Sequence, residues 1–192
     1  MATKSTTDQL TARERLLAAA NELFYEEGVH TVGIDRVIER AGVAKATLYS
    51  AYGSKDELIR AYLTGRHDAR RERTTRAMEK AQTPRDRLLS IFDVLDEALG
   101  RPNYHGCAFV NASAEARPGS PIEQAVDEYR GWLRGLLTDL AREAGAARPA
   151  ELARQLHLLY DGASISAKID HDPGAAVPAR AAATVLIDSA LN

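Results

Sequence analysis

The chain has 192 residues, of which 45% are hydrophobic and 27% are charged, and its formal net charge is −2. This composition excludes disorder for most of the chain and is typical of a globular protein with room for one large or two small cores. No apolar run approaches the roughly 20 residues of a membrane span, and the N-terminus lacks the apolar segment of a signal peptide, so we expect a cytoplasmic protein.

The first predicted element is a helix that follows a short polar arm. Residues 1–10 are polar and show no hydrophobic period, so we predict that this arm is disordered. Thr11 and Glu14 have the spacing of a capping box, in which the side chain of each residue binds the backbone N–H of the other. The apolar stripe that follows stops at Gly28, which predicts the end of the helix.

Residues 31–58 contain two short amphipathic helices separated by a tight turn. One face of the first helix is apolar at positions i, i+3, i+4 and i+7, which are Ile34, Val37, Ile38 and Ala41. Gly42 suits the positive φ that ends a helix, and a second helix starts near Lys45 with Leu48 as its main apolar anchor. This arrangement predicts a helix-turn-helix, whose second helix enters the major groove of DNA. The spacing alone fits an ordinary helical hairpin equally well.

The rest of the chain also has helical periodicity. Ser54 and Glu57 form a second capping box, after which a long helix is predicted to about Ala81. We interpret the basic run Arg70 to Arg76 in this helix as a solvated face. Further start and stop signals predict helices over residues 84–99, 107–115, 121–145, 149–168 and from about 175 to 191, and Pro178 either begins or kinks the last one. Since no stretch shows sustained β alternation, the sequence predicts an all-α protein of about nine helices.

Residues 41–58, AGVAKATLYSAYGSKDEL, resemble the signature of the tetracycline-repressor (TetR) family of transcriptional regulators. The positions that match are Ala41, Gly42, Val43, Thr47, Leu48, Tyr49, Ser54, Lys55 and Leu58, with Tyr52 as a conservative aromatic replacement. Ala51, Ala46 and Gly33 depart from the usual His, Gly and Thr. The resemblance implies a three-helix DNA-binding domain at residues 11–54 and a helical ligand-binding and dimerisation domain at residues 55–192.

The second helix of the motif carries the side chains that we expect to contact DNA. Lys45 and Tyr49 are the first choices for base edges or adjacent phosphates, because residues near the start of a reading helix meet base edges. The other predicted contacts are Thr47, Tyr52 and Lys55 with the DNA backbone, Ala44 through close approach, Ser50 through its outward hydroxyl, and Arg36 with a phosphate.

The distribution of charge favours this location for a DNA contact. Residues 1–80 hold 14 Lys/Arg against 12 Asp/Glu, whereas residues 81–192 hold 11 against 15. Within residues 36–55, four cations are accompanied by a single acid, Glu39. We therefore expect the reading surface to be locally positive, although the net charge of the whole chain is negative.

The resemblance implies two roles for the C-terminal half. TetR-family members dimerise through their last two long helices, here about residues 150–168 and 175–191, so we expect a homodimer on a pseudo-palindromic DNA operator. Small residues that would permit close helix approach are Ala163, Ser164, Ser166, Ala167, Ala181, Ala182 and Ala183.

The resemblance also implies repression, and a pocket for a small-molecule effector whose binding releases DNA. Candidate lining residues are His67, Phe92, Asp96, Cys107, Phe109, Asn111, Trp132, Tyr160 and Asp161. For Phe92 and Trp132 the alternative is plain core, and for Asp96 it is a solvated helix end.

The segment His105 to Asn111 contains side chains that could serve a metal site, a redox sensor or an enzyme. It also looks like a recurrent stretch in one group of TetR-type ligand domains. Cys107 is the single cysteine, and one nearby His does not supply the three or four ligands of a zinc site. We therefore predict no metal and no cofactor, and we favour an inert thiol over a redox sensor.

An enzyme would use Cys107 as nucleophile, His105 or His157 as base and Asp96 as orienting acid. No catalytic motif accompanies them, so we predict that the chain is not an enzyme. A ligand-independent repressor stays open.

Overall fold

Nine α-helices and no β-strand make up the part of the chain that the computed structural model describes, residues 10–114 and 116–192. The helices are α1 (Ala12–Glu27), α2 (Ile34–Ala41), α3 (Lys45–Tyr52), α4 (Lys55–Glu79), α5 (Pro84–Leu99), α6 (Ala108–Ser113), α7 (Pro121–Glu143), α8 (Pro149–Ile169) and α9 (Ala176–Leu191). The all-α prediction is confirmed. None of these nine helices has the length and apolar character of a membrane span.

The predicted helix ends agree with the observed ends to within two residues, because the signals that set them are local. The Thr11 hydroxyl accepts a hydrogen bond from the Glu14 N–H at 3.3 Å, and the Glu14 carboxylate accepts one from the Thr11 N–H at 2.7 Å. Hydrogen bonds from Thr11 lower the pKa of Glu14. Pro178 is the third residue of α9, where a missing N–H breaks no helical hydrogen bond. Residues 1–9 of the predicted arm, and Glu115 after α6, lie outside the described residues.

The chain divides into two compact units. Among the described residues, the first unit comprises 10–66 and 108–126, and the second comprises 67–107 and 127–192. This division differs from the predicted boundary after residue 54, because the first turns of α4 belong to the same unit as α1. Phe24 of α1 and Tyr62 of α4 are in edge-to-face contact, with ring centroids 5.8 Å apart.

The core of the first unit is formed where α1 packs on α2 and α3. Its buried apolar residues include Leu16, Ala20, Leu23, Phe24, Val37 and Leu48, whereas Ile34, Ile38 and Val43 are half-buried. A fully buried Leu contributes roughly 1.5–3 kcal/mol relative to an exposed one. Leu16 and Leu48 are both fully buried, and they hold the helix-turn-helix on α1.

The second unit is built on mutual packing of α5, α8 and α9. Two ion pairs join α5 to α9: Arg85 binds Asp188 through two hydrogen bonds of 2.6 and 3.0 Å, and Arg180 binds Asp93 at 2.6 Å. The small residues Ala163, Ser164, Ala167 and Ala183 are buried within the unit, Ser166 is half-buried, and Ala181 and Ala182 are exposed. Most of the small residues predicted for a dimer interface therefore lie inside one chain instead.

Candidate functional site

The turn between α2 and α3 is set by a glycine in the left-handed region. Gly42 has φ 62° and ψ 45°, a conformation that side chains with a Cβ rarely adopt. The Gly42 N–H donates to the Glu39 carbonyl at 3.1 Å, and the Val43 N–H donates to the Ile38 carbonyl at 3.3 Å. These bonds satisfy the last carbonyls of α2 and end it, so that α3 starts at Lys45 as predicted.

The face of α3 opposite Leu48 carries four of the eight predicted DNA contacts. Lys45, Tyr49 and Ser50 are exposed, as is Ala44 before the helix, and Thr47 is half-buried. The opposite face is buried through Leu48, whose side chain is inaccessible to solvent. The short helix therefore has one face fixed in the core of the first unit and one face available to a partner.

Tyr52 is placed differently from the other predicted contacts. Its side chain is buried, and its hydroxyl donates a 2.9 Å hydrogen bond to the Arg13 carbonyl of α1. The Arg13 guanidinium lies 4.4 Å from the centre of the Tyr52 ring. Burial raises the pKa of this hydroxyl. Tyr52 thus holds α3 against α1, and a phosphate contact would require its hydrogen bond to be exchanged.

The fold brings three acids from outside the 36–55 segment next to its cations, which the charge count over that segment does not include. Lys45 Nζ lies 2.9 Å from Asp35 Oδ1, which raises the pKa of Lys45. The other two pairs join α2 to α1: Arg36 with Glu27, and Arg40 with Glu22, the latter through contacts of 2.7 and 2.8 Å. At the start of α4, Lys55 is half-buried, and burial lowers its pKa.

In the second unit, two groups of the predicted effector-lining residues come together. The His67 ring is 5.1 Å from the Trp132 ring and 5.7 Å from the Tyr129 ring. Burial lowers the pKa of His67, and burial raises the pKa of Tyr129. Phe92 and Tyr160 form a second aromatic pair, with centroids 6.4 Å apart. Sequence analysis missed Tyr129, although it stands three residues before Trp132 and so shares its face of α7.

Arginine side chains accompany these rings. Arg70 donates a hydrogen bond to the Tyr160 hydroxyl and is half-buried, so its interpretation as part of a solvated face is wrong. Arg130 of α7 pairs with Asp161 of α8 at 2.8 Å. His157 Nε2 lies 3.7 Å from the same carboxylate, and burial lowers the pKa of this histidine. The rings, Arg70 and this charged group form what we call the aromatic cluster of the second unit.

The remaining predicted residues are more scattered. Asp96 is exposed near the end of α5, as the solvated alternative requires, and Cys107 is half-buried. Phe109 is buried and Asn111 is half-buried, and both belong to the first unit. Across residues 10–114 and 116–192, no group of three or more His, Cys, Asp or Glu is arranged to hold a metal ion.

Comparison with known proteins agrees with the helix-turn-helix geometry. The family model described as "Bacterial regulatory proteins, tetR family" matches residues 16–62. A solved TetR-family transcriptional regulator from Streptomyces coelicolor is 32% identical, covers 94% of this chain and 96% of its own, and superposes with a TM-score of 0.89.

Two curated relatives extend the comparison. The transcriptional repressor NemR of Escherichia coli is 28% identical over 168 residues, which are 82% of this chain and 84% of NemR. The transcriptional activator FasR of Mycolicibacterium smegmatis is 47% identical over 51 residues, 27% of this chain and 23% of FasR. The chain belongs to the TetR family of DNA-binding transcriptional regulators, which are not enzymes.

Proposed function

We propose that this chain is a homodimeric repressor that binds a pseudo-palindromic DNA operator and releases it when a small-molecule effector binds the second unit. One observation carries the dimer: an exposed apolar face on α8 and α9, formed by Leu158, Ile165, Ile169, Val177 and Val185, each between 43% and 68% exposed. On α8, Ile165 comes seven residues after Leu158 and Ile169 comes four residues after Ile165, so the three side chains lie on a single face of the helix.

A second copy of the chain is the occupant that fits this face. One helix-turn-helix reads few base pairs, and a good bidentate contact discriminates by about 1–3 kcal/mol, so one head selects poorly. Burying each exposed side chain would contribute roughly 1–2 kcal/mol, and association costs about 4–15 kcal/mol. The same face of two copies, ten side chains in total, would contribute roughly 10–20 kcal/mol, which is enough to offset most of the range of that cost.

The dimer is tested by sedimentation at micromolar concentration. Ile165→Asp and Val185→Asp place a charge on the proposed interface, and we expect each to convert a dimer into a monomer with an unchanged circular dichroism spectrum. Thr75→Asp, at an exposed position of α4, is the matched control and should remain dimeric. A monomeric wild-type protein, or dimers of all three variants, would contradict this interface.

The effector part of the proposal is supported by the aromatic cluster. Aromatic rings and arginine side chains lie together there, and such groups are typical of the lining of small-molecule sites. Trp132 is the single tryptophan of the chain and stands against His67, so its fluorescence reports directly on occupation of the cluster. A compound that binds there should shift this fluorescence and weaken the binding of operator DNA. Because the two binding events are linked, operator DNA should weaken the binding of the compound by the same factor. If metabolites change neither signal, the ligand-independent repressor is the better description.

A further inference from the structure

We propose that Asp35 is a specificity-determining residue of the DNA-binding surface. Its carboxylate is paired with Lys45, and it therefore weakens any DNA binding in which Lys45 contacts only phosphates. The inference rests on the proposed role of Lys45 in DNA contact. Asp35 is not among the residues that the sequence predicts to contact DNA.

The pair is created by the turn between the two helices. Asp35 is the second residue of α2, Lys45 is the first residue of α3, and the bend at Gly42 brings their charged groups to 2.9 Å. The Asp35 side chain is 80% exposed and the Lys45 side chain is 58% exposed. Any duplex that approaches Lys45 therefore also meets the carboxylate of Asp35.

The carboxylate affects phosphates and base edges differently. A phosphate bound by Lys45 would bring a second anion next to Asp35, and like charges at such a distance repel. Guanine offers Lys45 the neutral acceptors O6 and N7, and the ammonium group has three donors, so Lys45 can bind a base edge while it stays paired with Asp35. Because phosphates occur on every duplex, Asp35 weakens non-specific binding more than specific binding.

The other two ion pairs of this surface join α2 to α1 and do not involve α3. Arg36 and Arg40 are paired with Glu27 and Glu22 of α1, so neither of these acids holds Lys45. Glu39 is exposed on α2 and has no ion pair within the described part of the chain. Replacing Glu39 by Gln removes the same charge from the same helix without freeing Lys45, and it is therefore the matched control for Asp35.

The test measures binding of Asp35→Asn and Glu39→Gln to two duplexes over a range of salt concentrations by fluorescence anisotropy. One duplex has random sequence, and the other is selected from a random pool with the wild-type protein. We expect Asp35→Asn to tighten binding to the random duplex about two- to fivefold, the range of an exposed ion pair. Its plot of log affinity against log salt should steepen by up to about 0.9 per subunit. The selected duplex should gain less, so the ratio of the two affinities falls.

Three results would overturn the proposal. The first is an equal gain from Glu39→Gln, which would assign the effect to net charge. The second is a loss of affinity for the selected duplex alone in Asp35→Asn, which would make Asp35 a reader of a base. The third is an undiminished effect of Asp35→Asn in a Lys45→Gln background. The random duplex requires neither a dimer nor an effector, so failure of the proposed function would leave this comparison interpretable. Thermal melts confirm that each variant is folded.

Discussion

Leu48 and Tyr49 are neighbours on α3, and we predict that their replacement has opposite consequences. The Leu48 side chain is fully buried between α3 and the rest of the first unit, whereas Tyr49 is 47% exposed. Leu48→Ala removes three buried carbon atoms and leaves a cavity, which costs about 3 kcal/mol of unfolding free energy. Tyr49→Ala removes an exposed ring, so the unfolding free energy should change by less than about 0.5 kcal/mol. The loss of a base or phosphate contact should nevertheless weaken DNA binding by more than about 1 kcal/mol.

Two measurements on the same preparations separate these effects. Urea denaturation followed by circular dichroism gives the free energy of unfolding, and anisotropy with the selected duplex gives the affinity of the folded protein. Leu48→Ala should retain most of its affinity at temperatures where it remains folded. If Tyr49→Ala destabilises the fold as much as Leu48→Ala, or leaves DNA binding unchanged, the assignment of one face to the core and the other to DNA is refuted.

Two further predictions concern stability. Gly42→Ala and Gly131→Ala both place a methyl group where no atom other than those of the adjoining chain lies within 4 Å, but Gly42 has φ 62° while Gly131 lies within α7. Denaturation should therefore show Gly42→Ala to be destabilising by about 1 kcal/mol, and Gly131→Ala to be stabilising by about 0.5–1 kcal/mol; equal effects would remove the role of the left-handed turn. Burial lowers the pKa of His157 in the folded state. Below the pKa of about 6.5 that a histidine has in the unfolded chain, the unfolded state therefore binds more protons, and the free energy of unfolding decreases as the pH is lowered. His157→Gln should reduce this dependence, and an unchanged dependence in this variant would contradict the burial argument.

The helices and the DNA-binding motif could be predicted from sequence because their determinants lie close together in the chain. Thr11 and Glu14 are three residues apart, and Gly42 follows directly after the apolar face that it terminates. The outward position of Lys45 and Tyr49 follows from the same periodicity, once Leu48 is taken as the anchor. Each of these inferences needs no more than one or two turns of helix.

The parts that could not be predicted depend on contacts between distant segments. Glu22 and Glu27 pair with Arg40 and Arg36 only after α1 packs on α2, so a charge count over a short window of sequence does not include these acids. Arg70 stands in a basic run typical of solvent, yet it reaches Tyr160, which is 90 positions later in the chain.

The exposed apolar face of the last two helices was hidden from sequence analysis for a related reason. Alanine-rich stretches of α8 and α9 suggested that small residues form the interface between subunits. The structure uses Ala163, Ala167 and Ala183 inside one chain and exposes larger residues instead, among them Leu158 and Val185. Which side of an alanine-rich helix faces its own chain depends on the partner helices, and periodicity does not identify them.

The ion pairs of the reading surface have a consequence for how this protein would find DNA. Non-specific affinity comes almost entirely from cations that displace counterions from phosphates, and here three such cations are already paired with acids. A single head should therefore bind random DNA weakly and with a shallow dependence on salt. In the proposed dimer, tight binding would then come from base-edge contacts made twice, by two heads joined through α8 and α9. A dimer-disrupting variant such as Ile165→Asp should consequently lose far more affinity for the selected duplex than for random DNA, and equal losses on the two duplexes would show that phosphate contacts dominate after all.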